Sequence, residues 1–291
     1  MRRFEVYRVV ALGVTGGSLH MALVGWPVGH SLSPLLWEGV GKRRGVAIEY
    51  ARYPVEPDDM TAWDALWASD LHGFNVTAPY KERAAARCDL LSPAAAEIRS
   101  VNTVIRDAGR WAGHSTDGYG FVRAMLGANE PLRGRSLAVL GTGGAGRSVA
   151  RAAEEAGASV TIVSRSPDRV PPGCDAFPRI GWAALAERSP FDVVVNATPV
   201  GRGRAAGEPP PQWVRACAGA LAFDLNYTPP VTSFLRAARA AGARTLNGLT
   251  TLVYQACLGA ALLLEHDPAA AESYEEDFRA VAREVAPQVV R

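Results

Sequence analysis

Short apolar runs bounded by glycine or proline alternate along the chain with longer stretches whose apolar positions recur every three to four residues, the signature of strands and helices in turn. The runs at 21–25 (MALVG), 48–53 (IEYARY), 73–76 (GFNV), 136–140 (SLAVL), 159–163 (SVTIV), 191–198 (FDVVVNAT) and 221–227 (LAFDLNY) predict strands. A further strand-like run at 98–105 (IRSVNTVI) is interrupted by Asn102 and Thr103, an amide and a hydroxyl in an apolar setting. Helices are predicted at about 34–42, 57–69, 80–87, 119–126, 146–156, 231–241, 249–265 and 269–286. Strands that alternate with helices imply parallel sheets and an α/β fold.

The most informative stretch is 136–148, SLAVLGTGGAGRS, where an apolar run stops at closely spaced glycines and an alanine-rich helical pattern begins. Gly141-x-Gly143-x-x-Gly146 fits a dinucleotide-binding turn: the first glycine permits the turn, the second lets backbone approach a pyrophosphate, and the third lets helix and strand pack closely. Free N–H groups at the start of that helix favour the phosphate. Gly157 is a natural left-handed cap, and the β-branched run after it completes a βαβ unit.

Composition narrows the picture. With 291 residues, 48% apolar and 21% charged, the chain is long enough for two globular domains. A net charge of +2, with basic residues scattered, disfavours nucleic-acid and membrane-surface roles. No stretch of about 18 uninterrupted apolar residues is present. Cys88, Cys174, Cys217 and Cys257 form no CxxC, and His20, His30, His72, His114 and His266 show no ligand spacing, so reduced thiols, a cytoplasmic location and no metal are expected. Residues 1–20 pair two arginines with a short apolar stretch at 9–14 that is too glycine-rich for a secretory core, and read as an extension or an added first strand.

Several polar residues at element junctions are candidates for chemistry, each with a structural alternative. Ser31 and Ser33 can present two hydroxyls to a carboxylate, or cap the helix that Pro34 opens. Asn75, Thr77 and Lys81 gather where a strand gives way to a helix after Pro79. Lys81 in a first helical turn opposes the helix dipole, a hint of function whose structural alternative, a solvated surface lysine, is the commoner case for any single lysine. Asp117 is either an N-cap or a group that faces Lys81 across a cleft. At the end of the 159–163 strand, Ser164, Arg165 and Ser166 stand where an acidic residue for a ribose hydroxyl is expected. A guanidinium and two hydroxyls suit a 2′-phosphate, so NADP is preferred over NAD.

In order along the chain, GWPVGHSLSP (25–34), GFNVTAPYKE (73–82), SVNT (100–103), GHSTDGYGF (113–121) and GTGGAG (141–146) resemble motifs of the shikimate dehydrogenase family, and the match covers nearly the whole chain from Met21. The resemblance implies two domains with an active-site cleft between them: a discontinuous α/β substrate domain, 1–117 plus 248–291, and a Rossmann-type doubly wound NADP-binding domain, 118–247. It implies reversible reduction of 3-dehydroshikimate to shikimate with NADPH, by a monomer or homodimer. Lys81 and Asp117 would be catalytic, and Ser31, Ser33, Thr77, Asn102, Tyr227 and Gln255 would bind substrate. The cofactor would meet Gly141, Gly143, Gly144, Ala145, Gly146, Ser164, Arg165, Ser166, Arg169, Thr198, Leu225 and Gly248. Of the departures from the family pattern, Trp37-Glu38 for His-Asn lies away from the chemistry and concerns packing, while Ser115 for Asn and Thr251 for Met border the site and leave quinate or an aminoshikimate as alternative substrates. A non-catalytic NADP-binding regulatory protein is the reading of another class, and retention of both Lys81 and Asp117 argues against it.

Overall fold

A computed structural model describes residues 18–188, 190–202 and 207–287, so the apolar stretch at 9–14 lies outside the described residues. The chain divides into two compact units, with the cuts between Thr116 and Asp117 and between Leu252 and Val253.

The first unit opens with β1 (Leu19–Gly25), α1 (Ser33–Arg44), β2 (Ile48–Pro54), α2 (Met60–Trp67), β3 (Gly73–Val76) and α3 (Lys81–Arg87). It continues with β4 (Leu90–Leu91), α4 (Pro93–Ile98), β5 (Thr103–Asp107) and β6 (Arg110–His114). Its six strands form one mixed sheet in the order β2-β1-β3-β5-β6-β4. β1 lies parallel to β2 and β3, while β5 runs antiparallel to both β3 and β6. One face of the sheet buries an aromatic cluster of Trp63, Trp67, Phe74, Tyr80 and Trp111. Trp67 meets the rings of Phe74 and Trp111 edge-on at 5.2 and 5.9 Å, the arrangement aromatic quadrupoles favour.

The strand expected at 98–105 is corrected. Helix α4 runs to Ile98, because Pro93 opens it and the Ser92 hydroxyl accepts the Ala95 N–H at 3.4 Å. Arg99 then turns left-handed (φ 46°), and extended backbone begins only at Thr103. β5 and β6 form a hairpin that the apolar pattern did not predict. Ala108 and Gly109, both at positive φ (47° and 79°), make a turn whose twist matches its strands.

The second unit holds α5 (Asp117–Gly127), β7 (Ser136–Leu140), α6 (Gly144–Glu155), β8 (Ser159–Ser164), β9 (Arg179–Gly181) and β10 (Val193–Asn196). Then come α7 (Pro211–Ala216), β11 (Leu221–Asp224), α8 (Ser233–Ala240) and β12 (Arg244–Asn247). All six strands are parallel, in the order β12-β11-β10-β7-β8-β9. Counted from β7, that is the doubly wound 3-2-1-4-5-6 order, whose reversal point lies between β7 and β10. Strands buried on both faces carry continuous apolar runs, as Val193–Val195 do.

Helix α9 (Leu249–Ala260) starts in the second unit and ends in the first, where a wider turn (Ala261–Glu265) and α10 (Glu275–Val285) follow. Among the described residues no single helix is long and apolar enough to cross a membrane.

Candidate active site

In the first unit, polar side chains collect at the carboxyl ends of β1 and β3. Ser31 and Ser33 are each 5% exposed. The N-cap of α1 is Leu32, whose side chain makes no cap bond. The Ser31 hydroxyl donates to the Ser33 hydroxyl at 3.2 Å and accepts the Ser33 N–H at 3.2 Å. The Arg52 guanidinium, which donates to the Ser31 carbonyl at 2.8 Å, brings a cation to the same loop. Two hydroxyls near a cation suit a carboxylate.

Asn102 lies between β3 and β6, buried at 4% exposure. Its carboxamide oxygen accepts the Thr116 N–H at 2.6 Å, and its amide donates to the Thr116 hydroxyl at 2.8 Å and to Gln255 Oε1 at 3.3 Å. Thr116 also donates to Gln255 Oε1 at 3.2 Å. Residues 102, 116 and 255 are thus brought together from three distant parts of the chain.

Behind them stands a residue that sequence reading did not single out. The Tyr50 hydroxyl donates to Asn75 Oδ1 at 2.7 Å, which turns the Asn75 amide to donate to the Asn102 carbonyl and the Thr103 hydroxyl at 3.2 and 3.0 Å. Tyr50 is stacked on Trp37, their ring centroids 5.9 Å apart, and the Glu38 carboxylate accepts its backbone N–H at 3.3 Å. The departures at 37 and 38 therefore pack behind the polar cluster.

Thr77 follows β3 directly, its N–H donating to the Val24 carbonyl at 2.8 Å, and it is half-buried. Lys81, also half-buried, is the first residue of α3, and its carbonyl accepts the Val101 N–H at 3.0 Å. An ammonium there is a proton donor at a strand's carboxyl end, where α/β sheets bind ligands.

In the second unit, Asp117 is the half-buried first residue of α5. The glycine turn follows β7. Gly141 has φ 109°, open to glycine, and a Cβ on Gly146 would lie 2.4 Å from the Gly141 carbonyl oxygen. Gly143, the N-cap of α6, has nothing within 4 Å of where a Cβ would stand. That open, exposed backbone, followed by the N–H groups of Gly144, Ala145 and Gly146, fits a pyrophosphate. Ser164 ends β8, with Arg165, Ser166 and Arg169 just beyond it and the Arg165 guanidinium 6.0 Å from the Trp182 ring. Hydroxyls and guanidinium groups at this strand end fit a 2′-phosphate.

At the neighbouring strand ends, the Thr198 hydroxyl donates to Asn196 Oδ1 at 2.7 Å and the Leu225 N–H to the Asn196 carbonyl at 3.0 Å. The Gly248 N–H donates to the Asn226 carbonyl at 3.2 Å. Gly248 approaches Leu225 so closely that a Cβ would lie 2.0 Å from its carbonyl oxygen. Thr198, Leu225 and Gly248 are thereby held together, with half-buried Tyr227 two residues beyond Leu225. Thr251, the departure from methionine, is buried at 6% exposure, and its hydroxyl has no partner among the described residues. No disulfide joins the four cysteines, and burial pushes the Cys88 and Cys217 thiols up to about 12, which leaves those two inert.

A doubly wound parallel sheet with a glycine turn at its reversal point, joined to a second α/β unit rich in buried hydroxyls and amides, defines a dinucleotide-binding enzyme of the two-domain class. Residues 23–104 match the family model for the shikimate dehydrogenase substrate binding domain. Over 253 residues the chain is 40% identical to the shikimate dehydrogenase (NADP(+)) of Xanthomonas campestris pv. campestris, covering 83% of this chain and 89% of that one. It is 36% identical over 250 residues to the protein of the same name from Moorella thermoacetica, covering 81% and 84%. The crystal structure of shikimate 5-dehydrogenase from Thermus thermophilus in complex with NADP(H) and shikimate is similar at a TM-score of 0.76 and 34% identity, covering 90% of this chain and 99% of that one. The chain belongs to the shikimate dehydrogenase family.

Proposed function

We propose that this protein catalyses the reversible NADPH-dependent reduction of 3-dehydroshikimate to shikimate, a step of aromatic amino acid biosynthesis. It is an oxidoreductase acting on small molecules, in the cytoplasm, as a monomer or homodimer. The substrate domain comprises residues 1–117 plus 248–291, and the cofactor domain residues 118–247.

Bound NADPH supplies a hydride to the ketone carbon. Negative charge then develops on the ketone oxygen, and Lys81 stabilises it and donates the proton. Asp117 is the second catalytic residue. Ser31 and Ser33 bind the carboxylate, while Thr77, Asn102, Gln255 and Tyr227 bind hydroxyls and fix the reacting carbon. Gly141, Gly143, Gly144, Ala145 and Gly146 hold the pyrophosphate. Ser164, Arg165, Ser166 and Arg169 hold the 2′-phosphate, and Thr198, Leu225 and Gly248 hold the nicotinamide end.

The observation that carries this reading is the 40% identity over 83% of the chain to a shikimate dehydrogenase. The buried serine pair and the Asn102–Thr116–Gln255 cluster give it a physical basis. The test is NADPH formation followed by absorbance with shikimate, with quinate and without substrate, repeated with NAD. Turnover of shikimate with NADP is expected. Faster turnover of quinate would reassign the substrate, and no turnover of either would leave a cofactor-binding regulatory protein.

A further inference from the structure

Asp224, the last residue of β11, is fully buried, and among the described residues no cation pairs with it. Its carboxylate is surrounded by donors instead. Oδ1 accepts from Asn196 Nδ2 at 3.1 Å, from the Asn226 backbone N–H at 3.0 Å and from Asn226 Nδ2 at 2.8 Å. Oδ2 accepts the Thr232 hydroxyl at 2.5 Å. Three N–H groups converging on one oxygen suit a carboxylate, which accepts at both oxygens and carries the charge that strengthens each bond.

Both asparagines have a second task. Asn196 Oδ1 accepts both the N–H and the hydroxyl of Thr198, at 3.0 and 2.7 Å. Asn226 Nδ2 also donates to the Thr198 carbonyl at 2.9 Å, and the Asn226 carbonyl accepts the Gly248 N–H. Leu225 lies between Asp224 and Asn226, its N–H on the Asn196 carbonyl. Every bond to Oδ1 therefore leads, one step on, to Thr198, Leu225 or Gly248.

A buried carboxylate without a cation is a costly way to hold two strand ends, since an apolar pair would stabilise the fold at least as well. The groups that face it from β10, β12 and the start of α8 (Asn196, Asn247 and Thr232), and Asn226 beyond β11, are all uncharged. Burial pushes its pKa up to about 6, with the four donors opposing, so at neutral pH it is ionised.

We propose that Asp224 is a positioning residue for the nicotinamide end of the cofactor, its buried carboxylate setting the backbone of Thr198, Leu225 and Gly248 through Asn196 and Asn226. This rests on the cofactor placement given under the proposed function.

The test compares two ligands on the free full-length enzyme by fluorescence titration: NADPH, and 2′-phospho-ADP-ribose, which shares everything but the nicotinamide. Asp224→Asn removes the charge that strengthens these bonds and replaces one of the two acceptor oxygens by an N–H group. The dissociation constant for NADPH is expected to rise about tenfold, the scale of a lost hydrogen bond to a charged group, while that for 2′-phospho-ADP-ribose stays within about twofold. Equal weakening of both ligands, or of neither, overturns the proposal. If Asp224→Asn does not fold, Thr232→Val decides in the same way, because it loosens Oδ2 without touching the donors at Oδ1: selective weakening of NADPH upholds the proposal, and equal or no weakening ends it. Wild-type protein that binds neither ligand removes the cofactor reading itself, and this inference with it.

Discussion

At the scale of single residues, legibility depended on whether a side chain broke a local rule. Lys81 stands in a first helical turn against the dipole, and Arg165 replaces an expected acid, so both were visible without coordinates. Lys81→Ala is expected to lower kcat about 10²-fold or more with little change in KM, the pattern of a lost general acid. An unchanged kcat in steady-state assays would remove Lys81 from the mechanism. Arg165→Ala should raise KM for NADPH far more than KM for NADH, because only NADPH carries the 2′-phosphate. Equal effects on both cofactors would show that the arginine does not read that phosphate. Tyr50 and the role of Asp224 were not legible. A tyrosine in a strand obeys every local rule, and its bond to Asn75 spans 25 residues of sequence.

At the scale of elements, strands with continuous apolar runs were readable, as was the seven-residue edge strand β2, while the short strands β4, β9 and β12 were not. β7, β8, β10 and β11 fall on predicted runs, since central parallel strands are apolar on both faces. β12 (RTLN) is partly exposed and β4 has two residues, too little for any period to register. The 98–105 run misleads because Ile98 and Val101 belong to the end of a helix and the turn after it, both buried for reasons of packing. The glycine turn belongs to this scale too, as its third position is set by the contact of α6 with the loop after β7. Gly146→Ala places a Cβ 2.4 Å from the Gly141 carbonyl oxygen, an overpacking that costs on the order of 1–3 kcal/mol. A lower melting temperature and weaker NADPH binding are expected together, and a variant with both unchanged would mean that the turn relaxes freely.

At the scale of the whole molecule, the chain leaves its first unit at Thr116 and returns to it at Val253, so one unit depends on segments far apart in sequence. The stability of that unit carries a pH signature from His114 at the end of β6. Burial pushes His114 down to about 4 from the ordinary 6.5, and its Nε2 has no partner among the described residues. The folded state therefore keeps this imidazole neutral where the unfolded chain would protonate it. Its contribution is fully present above about 6.5 and is lost as pH falls toward 4, by on the order of 3 kcal/mol over that window. Urea denaturation midpoints should fall across this range in the wild type and fall less in His114→Gln. Identical slopes would place the titrating group elsewhere.

What the sequence determined by itself was the order of elements along the central strands, the glycine turn, and the residues whose chemistry is out of keeping with their local position. These follow from periods of two and 3.6 and from backbone rules that act over a few residues. Only the tertiary structure decided which serines are buried, that residues 102, 116 and 255 share hydrogen bonds, and that one carboxylate ties two strand ends together. Such contacts join residues separated by tens to hundreds of positions, and no local pattern encodes a partner that the chain meets only after it has folded.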